Sequence, residues 1–147
     1  METVEQFKAL AQRIALFKKI DMDDVARIFV KGMTMIVQKE NVIFYQNTTG
    51  NTMYVILSGK VDLYDGKKHL TSLGEGDMFG EMALISTEPR SATAMAAEDT
   101  HLFVLTEETF HKLMTKRVAV QMLLNIVGIL SARLRDTNKK LTRLQRG

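Results

Sequence analysis

The chain has 147 residues, about the length of one ordinary domain, and 46% hydrophobic with 25% charged residues is the profile of a globular protein. It has no cysteine, which excludes disulfides, thiolate zinc sites, iron–sulfur clusters and cysteine nucleophiles together. The net charge of +3 is uneven: residues 131–147 carry six basic groups against Asp136 alone, a local +5, and the remainder sums to −2.

The N-terminus lacks a secretory signal, and no apolar run approaches the roughly 18 residues of a membrane span. A cytoplasmic protein without membrane contact is the expectation. Val4, Phe7, Leu10, Ala11 and Ile14 recur at helical spacing. Asp21 reads as an N-cap for a second helix running to about Lys31, with Gly32 as terminator. From Thr34 the period falls to near two. Short β-rich runs follow at Met35–Val37, Val42–Tyr45, Met53–Leu57, Val61–Tyr64, His69–Leu73, Ala92–Ala97 and His101–Leu105, separated by turn sequences such as Ser58-Gly59 and Asp65-Gly66. Strands so short and so regularly spaced predict an antiparallel roll or barrel, not a parallel sheet, in an α+β fold.

From Glu107 the chain reads as helix to its end, with a break near Lys116 and Arg117. Val120, Leu123, Val127, Leu130, Leu134, Thr137, Leu141 and Leu144 alternate steps of three and four, the a/d seam of a coiled coil. Between residues 120 and 130 other faces are apolar too, so this half is expected to be covered on more than one side. A parallel pair sets Arg133 against Asn138 and Lys140 against Gln145 without repulsion. The chain therefore divides into residues 1–116, a roll with N-terminal helices, and 117–147, a dimerisation helix, with a homodimer formed through residues 120–144.

The stretch Gly74–Thr93, GEGDMFGEMALISTEPRSAT, concentrates chemistry. Gly80 lets the backbone approach a ligand closely. Glu81, Met82, Ala83 and Leu84 can form one helical turn whose free N–H groups favour an anion. Arg90, stiffened by Pro89, offers a planar fork to two phosphate oxygens. A carboxylate such as Glu81 beside an anion site needs a donor, and a sugar hydroxyl supplies one. The residues describe a pocket for a phosphate attached to a ribose.

Phe79–Leu84 with Pro89–Thr93 resembles the phosphate-binding cassette of the cyclic-nucleotide-binding domains, whose members include bacterial catabolite activators, regulatory subunits of cAMP-dependent kinase and nucleotide-gated channels. Ala15–Lys18, Val42–Phe44, Tyr54–Val61, Leu73–Asp77 and Glu98-Asp99 follow the family order, so the likeness covers roughly residues 14–115. It implies a jelly-roll-like β-roll. It implies that Glu81 accepts from the ribose 2′-hydroxyl, that Arg90 pairs with the phosphate, that the backbone of Gly80, Met82 and Ala83 completes the cradle, and that Ser91 touches the phosphate. In the activators a threonine and the residue after it, one from each subunit, meet the base; the matching positions are Thr137 and Asn138. Glu40 and Asn47 stand where the family often has glycine.

A sensor domain is expected: a homodimer binding cyclic AMP, with cyclic GMP the alternative, no metal, no catalytic residues, and a downstream protein partner. The second reading is a transcription regulator of the activator type represented without its DNA-binding domain, because the chain stops at Gly147 where the dimer helix ends. DNA contact by the chain itself is not expected, since six basic residues on one helix give only salt-sensitive, non-specific affinity.

Overall fold

The computed structural model describes residues 4–113 and 115–146, so residues 1–3, 114 and 147 of the two expected segments lie outside it. Helix α1 (Val4–Ala11) buries Phe7, Leu10 and Ala11. It stops at Ala11 rather than running on to Ile14: Ile14 is buried beyond a turn in which its amide bonds the Ala11 carbonyl at 3.1 Å, and a 3-10 turn, Ala15–Phe17, follows. Helix α2 (Met22–Lys31) begins after Asp21, with Asp23 and Asp24 in its first turn where the helix dipole favours negative charge. The Asp21 carboxylate does not cap this helix; it pairs with Arg117 at 3.3 Å. Gly32 ends α2 in extended backbone, not as a left-handed cap, and the Phe103 ring occupies the space a Cβ there would need.

Eight strands follow: β1 (Met33–Val37), β2 (Val42–Phe44), β3 (Thr52–Ser58), β4 (Val61–Asp65), β5 (Lys68–Leu73), β6 (Met78–Phe79), β7 (Thr93–Ala96) and β8 (Thr100–Thr106). They form two four-stranded sheets, ordered β1-β8-β3-β6 and β2-β7-β4-β5, with every pairing antiparallel. The α+β roll expected from the strand pattern is the observed architecture. The unexpected strand is β6, two residues set against Tyr54 and Val55 inside the glycine-rich stretch.

Strand alternation divides the core in two. Met53, Val55 and Leu57 of β3, with Phe103 and Leu105 of β8, face the helices; Ile56, Leu102 and Val104 face the second sheet. On the helical side Phe7 packs on Phe17, Phe29 and Phe103, with ring centroids 5.7, 4.3 and 5.2 Å away. Each such fully buried side chain contributes about 1.5–3 kcal/mol. Strands β3 and β8 are therefore covered on both faces and make a firm floor for what attaches at the β6 edge.

Helix α3 (Glu107–Leu113) leads into α4 (Lys116–Arg146). Met122 and Ile126 of α4 are fully buried in the helical-side core, and the Asn125 amide donates to the Leu16 and Lys18 carbonyls, both at 2.8 Å. Leu123 and Leu130, expected in the dimer seam, are partly buried against the chain's own core. The exposed apolar row is instead Val120, Leu124, Val127, Leu134 and Leu141, with Leu144 near the end. By length and composition α4 could also cross a membrane, contrary to the expectation of no such segment, although the core helix of a folded domain passes the same test.

Candidate functional site

The site is built where β6 ends. Met78 and Phe79 are pinned to β3, and the chain then turns through Gly80 at φ 73°, a left-handed conformation that glycine adopts without strain. A Cβ at position 80 would stand 2.7 Å from Arg90 Nη1 and 3.2 Å from the Thr52 carbonyl oxygen, so the position has no room for a side chain either. The 3-10 turn Glu81–Leu84 follows directly.

Arg90 is fixed from both sides of its backbone. Its N–H donates to the Thr48 carbonyl at 2.8 Å, and its carbonyl accepts from the Asn47 N–H at 2.8 Å. Asn47 sits at φ 68° and Glu40 at φ 73°, the left-handed geometry that family glycines at those positions would adopt. Ten residues after Gly80, the arginine side chain returns to it: Nη1 donates to the Gly80 carbonyl at 3.3 Å and Nη2 to the Thr52 carbonyl at 2.8 Å. The guanidinium lies over the Phe44 ring, 4.2 Å from its centroid.

Arg90 is only 9% exposed, and its Nε is buried without a hydrogen-bond partner. Burial lowers its proton affinity, opposed by Tyr54 and Glu81, yet a guanidinium stays protonated. Burial likewise raises the Tyr54 phenol, against the pull of Arg90. Among the described residues no carboxylate forms an ion pair with Arg90. A buried cation held by two carbonyl dipoles and one aromatic face, with one N–H unmet, is a site short of an anion.

Around it lies a cavity of about 320 Å³, within the usual range for small-molecule sites. Phe44, Leu63, Phe79 and Ala92 give it an apolar wall; Gly80, Glu81, Met82, Ala83, Arg90 and Ser91 also line it, with Gly50, Glu88, Pro89 and Arg133. Six of the eight residues singled out from the sequence thus converge on one cavity. Thr137 and Asn138 are not among its lining residues: both are exposed on α4, and the Thr137 hydroxyl bonds the Arg133 carbonyl at 3.0 Å.

The helix residue that does reach the cavity is Arg133. Its Nη1 donates to Glu81 Oε1 at 3.0 Å and its Nη2 to the Met78 carbonyl at 2.6 Å. The sequence reading placed Arg133 beside a partner's Asn138, because it followed the apolar seam; the arginine turns to its own roll instead. The available signal was its position one helical turn before Thr137, on the side of the helix that carries Ile126 and Ile129 inward. Phe44 and the Thr52 carbonyl were also missed, the first because an aromatic in a strand reads as core.

Among the described residues no group of three or more His, Asp or Glu could hold a metal ion. The arrangement can seat an anion on Arg90 and a hydroxyl donor beside Glu81.

The description of the cyclic nucleotide-binding domain family matches residues 34–117. The cyclic AMP receptor protein of Thermus thermophilus is 38% identical over 104 residues, 67% of this chain and 47% of that protein. The cAMP-dependent protein kinase regulatory subunit of Eremothecium gossypii is 32% identical over 116 residues, 77% of this chain and 25% of that protein. This chain thus spans less than half the length of either relative. The crystal structure of the Thermus thermophilus catabolite activator protein superposes with a TM-score of 0.76 at 32% identity, covering 89% of this chain and 63% of that one. The chain belongs to the cyclic nucleotide-binding domain family.

Proposed function

We propose that this member of the cyclic nucleotide-binding domain family is a regulatory sensor that seats cyclic AMP, or alternatively cyclic GMP, in the cavity over Arg90 and acts as a homodimer through α4. The observation that carries the reading is the buried Arg90, whose charge and unmet Nε–H ask for an anion in the cavity. A cyclic phosphodiester brings one negative charge and acceptor oxygens together. Its ribose brings the hydroxyl donor that Glu81 can accept, and the apolar wall of Phe44, Leu63 and Phe79 suits the sugar and base. Cyclic AMP is put first because relatives in two groups, a bacterial receptor and kinase regulatory subunits, carry its name.

The dimer reading rests on the exposed row Val120, Val127, Leu134 and Leu141, which leaves apolar area in water unless a second helix covers it. In that dimer Thr137 and Asn138 meet the base, and Arg133, paired with the same carboxylate that takes the ribose, links the cavity to the helix. Signal leaves through α4 to a protein partner. The function in this reading is binding and not turnover, supported by relatives named as a receptor protein and as kinase regulatory subunits. As a second reading, the likeness to the Thermus receptor protein favours a sensor domain belonging to a transcription regulator.

Calorimetric titration with cyclic AMP, cyclic GMP and a cyclic dinucleotide tests the proposal. Saturable one-to-one binding of a mononucleotide is expected; no heat with any of the three overturns it, and AMP appearing in the mixture would make the protein an enzyme.

A further inference from the structure

A second concave surface lies on another side of α4, away from the nucleotide cavity. The chain from Ala15 to Lys19 and the first half of α4 enclose a cleft of about 530 Å³. Ala15, Leu124 and Ile129 supply its apolar floor, and Lys18 and Lys19 stand exposed beside it. Gly128 lies in this cleft, in mid-helix, where glycine is among the poorest residues for helix stability. Nothing in the fold requires a glycine there: a Cβ would meet no atom within 4 Å. The cleft is open space over a bare stretch of backbone.

The same helix face continues as a stripe of charge. At about 100° per residue, Gly128, Ala132, Arg135, Lys139, Arg143 and Arg146 succeed one another in steps of three and four. These four cations are exposed, and among the described residues none forms an ion pair. Asp136 is the only acidic residue in α4. The row lies roughly a third of a turn from Val120, Val127 and Leu134, with Leu124 between the two, so a second copy on the apolar row reaches the edge of the cleft and leaves the charged stripe uncovered.

We propose that this face, from the Gly128 cleft to Arg146, is a docking site for an acidic amphipathic helix of a partner protein. Charge complementarity sets the sign of the partner, since four unpaired cations in line attract an anionic one. The apolar cleft sets its class. A nucleic acid or an anionic lipid surface needs only the charges, whereas an open cleft with apolar side chains beside a glycine accepts a side chain from an approaching helix, whose carboxylates then lie along Arg135, Lys139 and Arg143. The surface shares no lining residue with the nucleotide cavity, so its test stands independently of nucleotide binding.

The probe is a labelled, end-blocked helical peptide of about 18 residues, matching the roughly 27 Å from Gly128 to Arg146, with leucines on one face and glutamates beside them. Fluorescence anisotropy against the full chain should show saturable binding. Lys139→Glu with Arg143→Glu should weaken it at least about tenfold. Gly128→Leu, which fills the cleft from open space and suits a helix, should weaken it by a similar factor with the circular dichroism unchanged. Absence of binding overturns the proposal. So does indifference to Gly128→Leu, equal binding of a scrambled peptide of the same composition, or tighter binding of duplex DNA or phosphatidylserine vesicles, either of which would make the face a general polyanion surface.

Discussion

Arg90 and Arg133 reach the same cavity from two regions built on different principles. Arg90 is contributed by the roll. Its backbone is bonded to the Asn47–Thr48 turn, its guanidinium to Gly80 and Thr52, and it is buried by the roll itself. Arg133 is lent by a helix that joins the roll's core only as far as its middle, and its side chain is 37% exposed around a single ion pair and one carbonyl contact. The first arrangement is preorganised and costs little further ordering on binding. The second is a contact that can be exchanged for another. Affinity should therefore reside in the roll, and response in the helix.

Four variants test that division, in falling order of effect. Arg90→Ala removes the buried counter-charge of the ligand, a loss on the order of 2–5 kcal/mol, or about thirtyfold upwards in affinity. A calorimetric titration with cyclic AMP checks it, and a drop below about tenfold would move the main anchor elsewhere. Leu134→Glu with Leu141→Glu sets charges against each other in the exposed apolar row. Light scattering should then report monomer, and an unchanged mass would show that the row is not the dimer surface.

Arg133→Ala should cost about 1 kcal/mol, close to fivefold in affinity, because the lost pair with Glu81 is partly screened by water. Its sharper signature is in coupling. Binding and dimerisation strengthen each other by the same factor, and that factor should fall toward one in this variant, as read from dimer dissociation with and without nucleotide. A loss as large as that of Arg90→Ala would erase the distinction between the two regions. Thr137→Val is expected to have the smallest effect. One hydrogen bond to a neutral group is worth about 0.5–1.5 kcal/mol, so binding weakens several-fold while dimerisation tightens slightly. If titration and dimer mass both stay unchanged, Thr137 does not meet the base.

The same division explains what could be read from the sequence. Gly80, Glu81 and Arg90 were legible because the turn that unites them is local: eleven residues hold a glycine needing left-handed backbone, a carboxylate and an arginine behind the only proline. The roll was legible from alternation, and Glu40 and Asn47 were marked as turn positions by the glycines they replace. Strand β6 escaped because Met78 and Phe79 are too few to alternate and sit among turn residues. Arg133 escaped because it is 52 residues from Glu81 and its direction depends on which face of α4 the core claims. Helical periodicity gives the faces, but not which of two apolar faces turns inward. Leu123 and Leu130 were assigned to the partner for the same reason, when the chain's own core takes part of each.

The Asn125 amide, fastened to two carbonyls of the Ala15–Lys18 segment, gives α4 the mechanics of a lever. In the proposed relay of binding through this helix, Asn125 is the fulcrum. Arg133 pulls on the arm about 12 Å beyond it, and Arg146 is about 32 Å beyond it, at 1.5 Å of rise per residue. If the helix stays straight, a shift of about 1 Å in Arg133, the scale on which a salt bridge is remade, moves the tip by about 2.5 Å. The mechanical advantage is fixed by where an asparagine and an arginine stand on one helix. Lengthening the arm would magnify the output without touching the nucleotide, whereas loosening the fulcrum would leave a site that still fills and a helix that no longer answers.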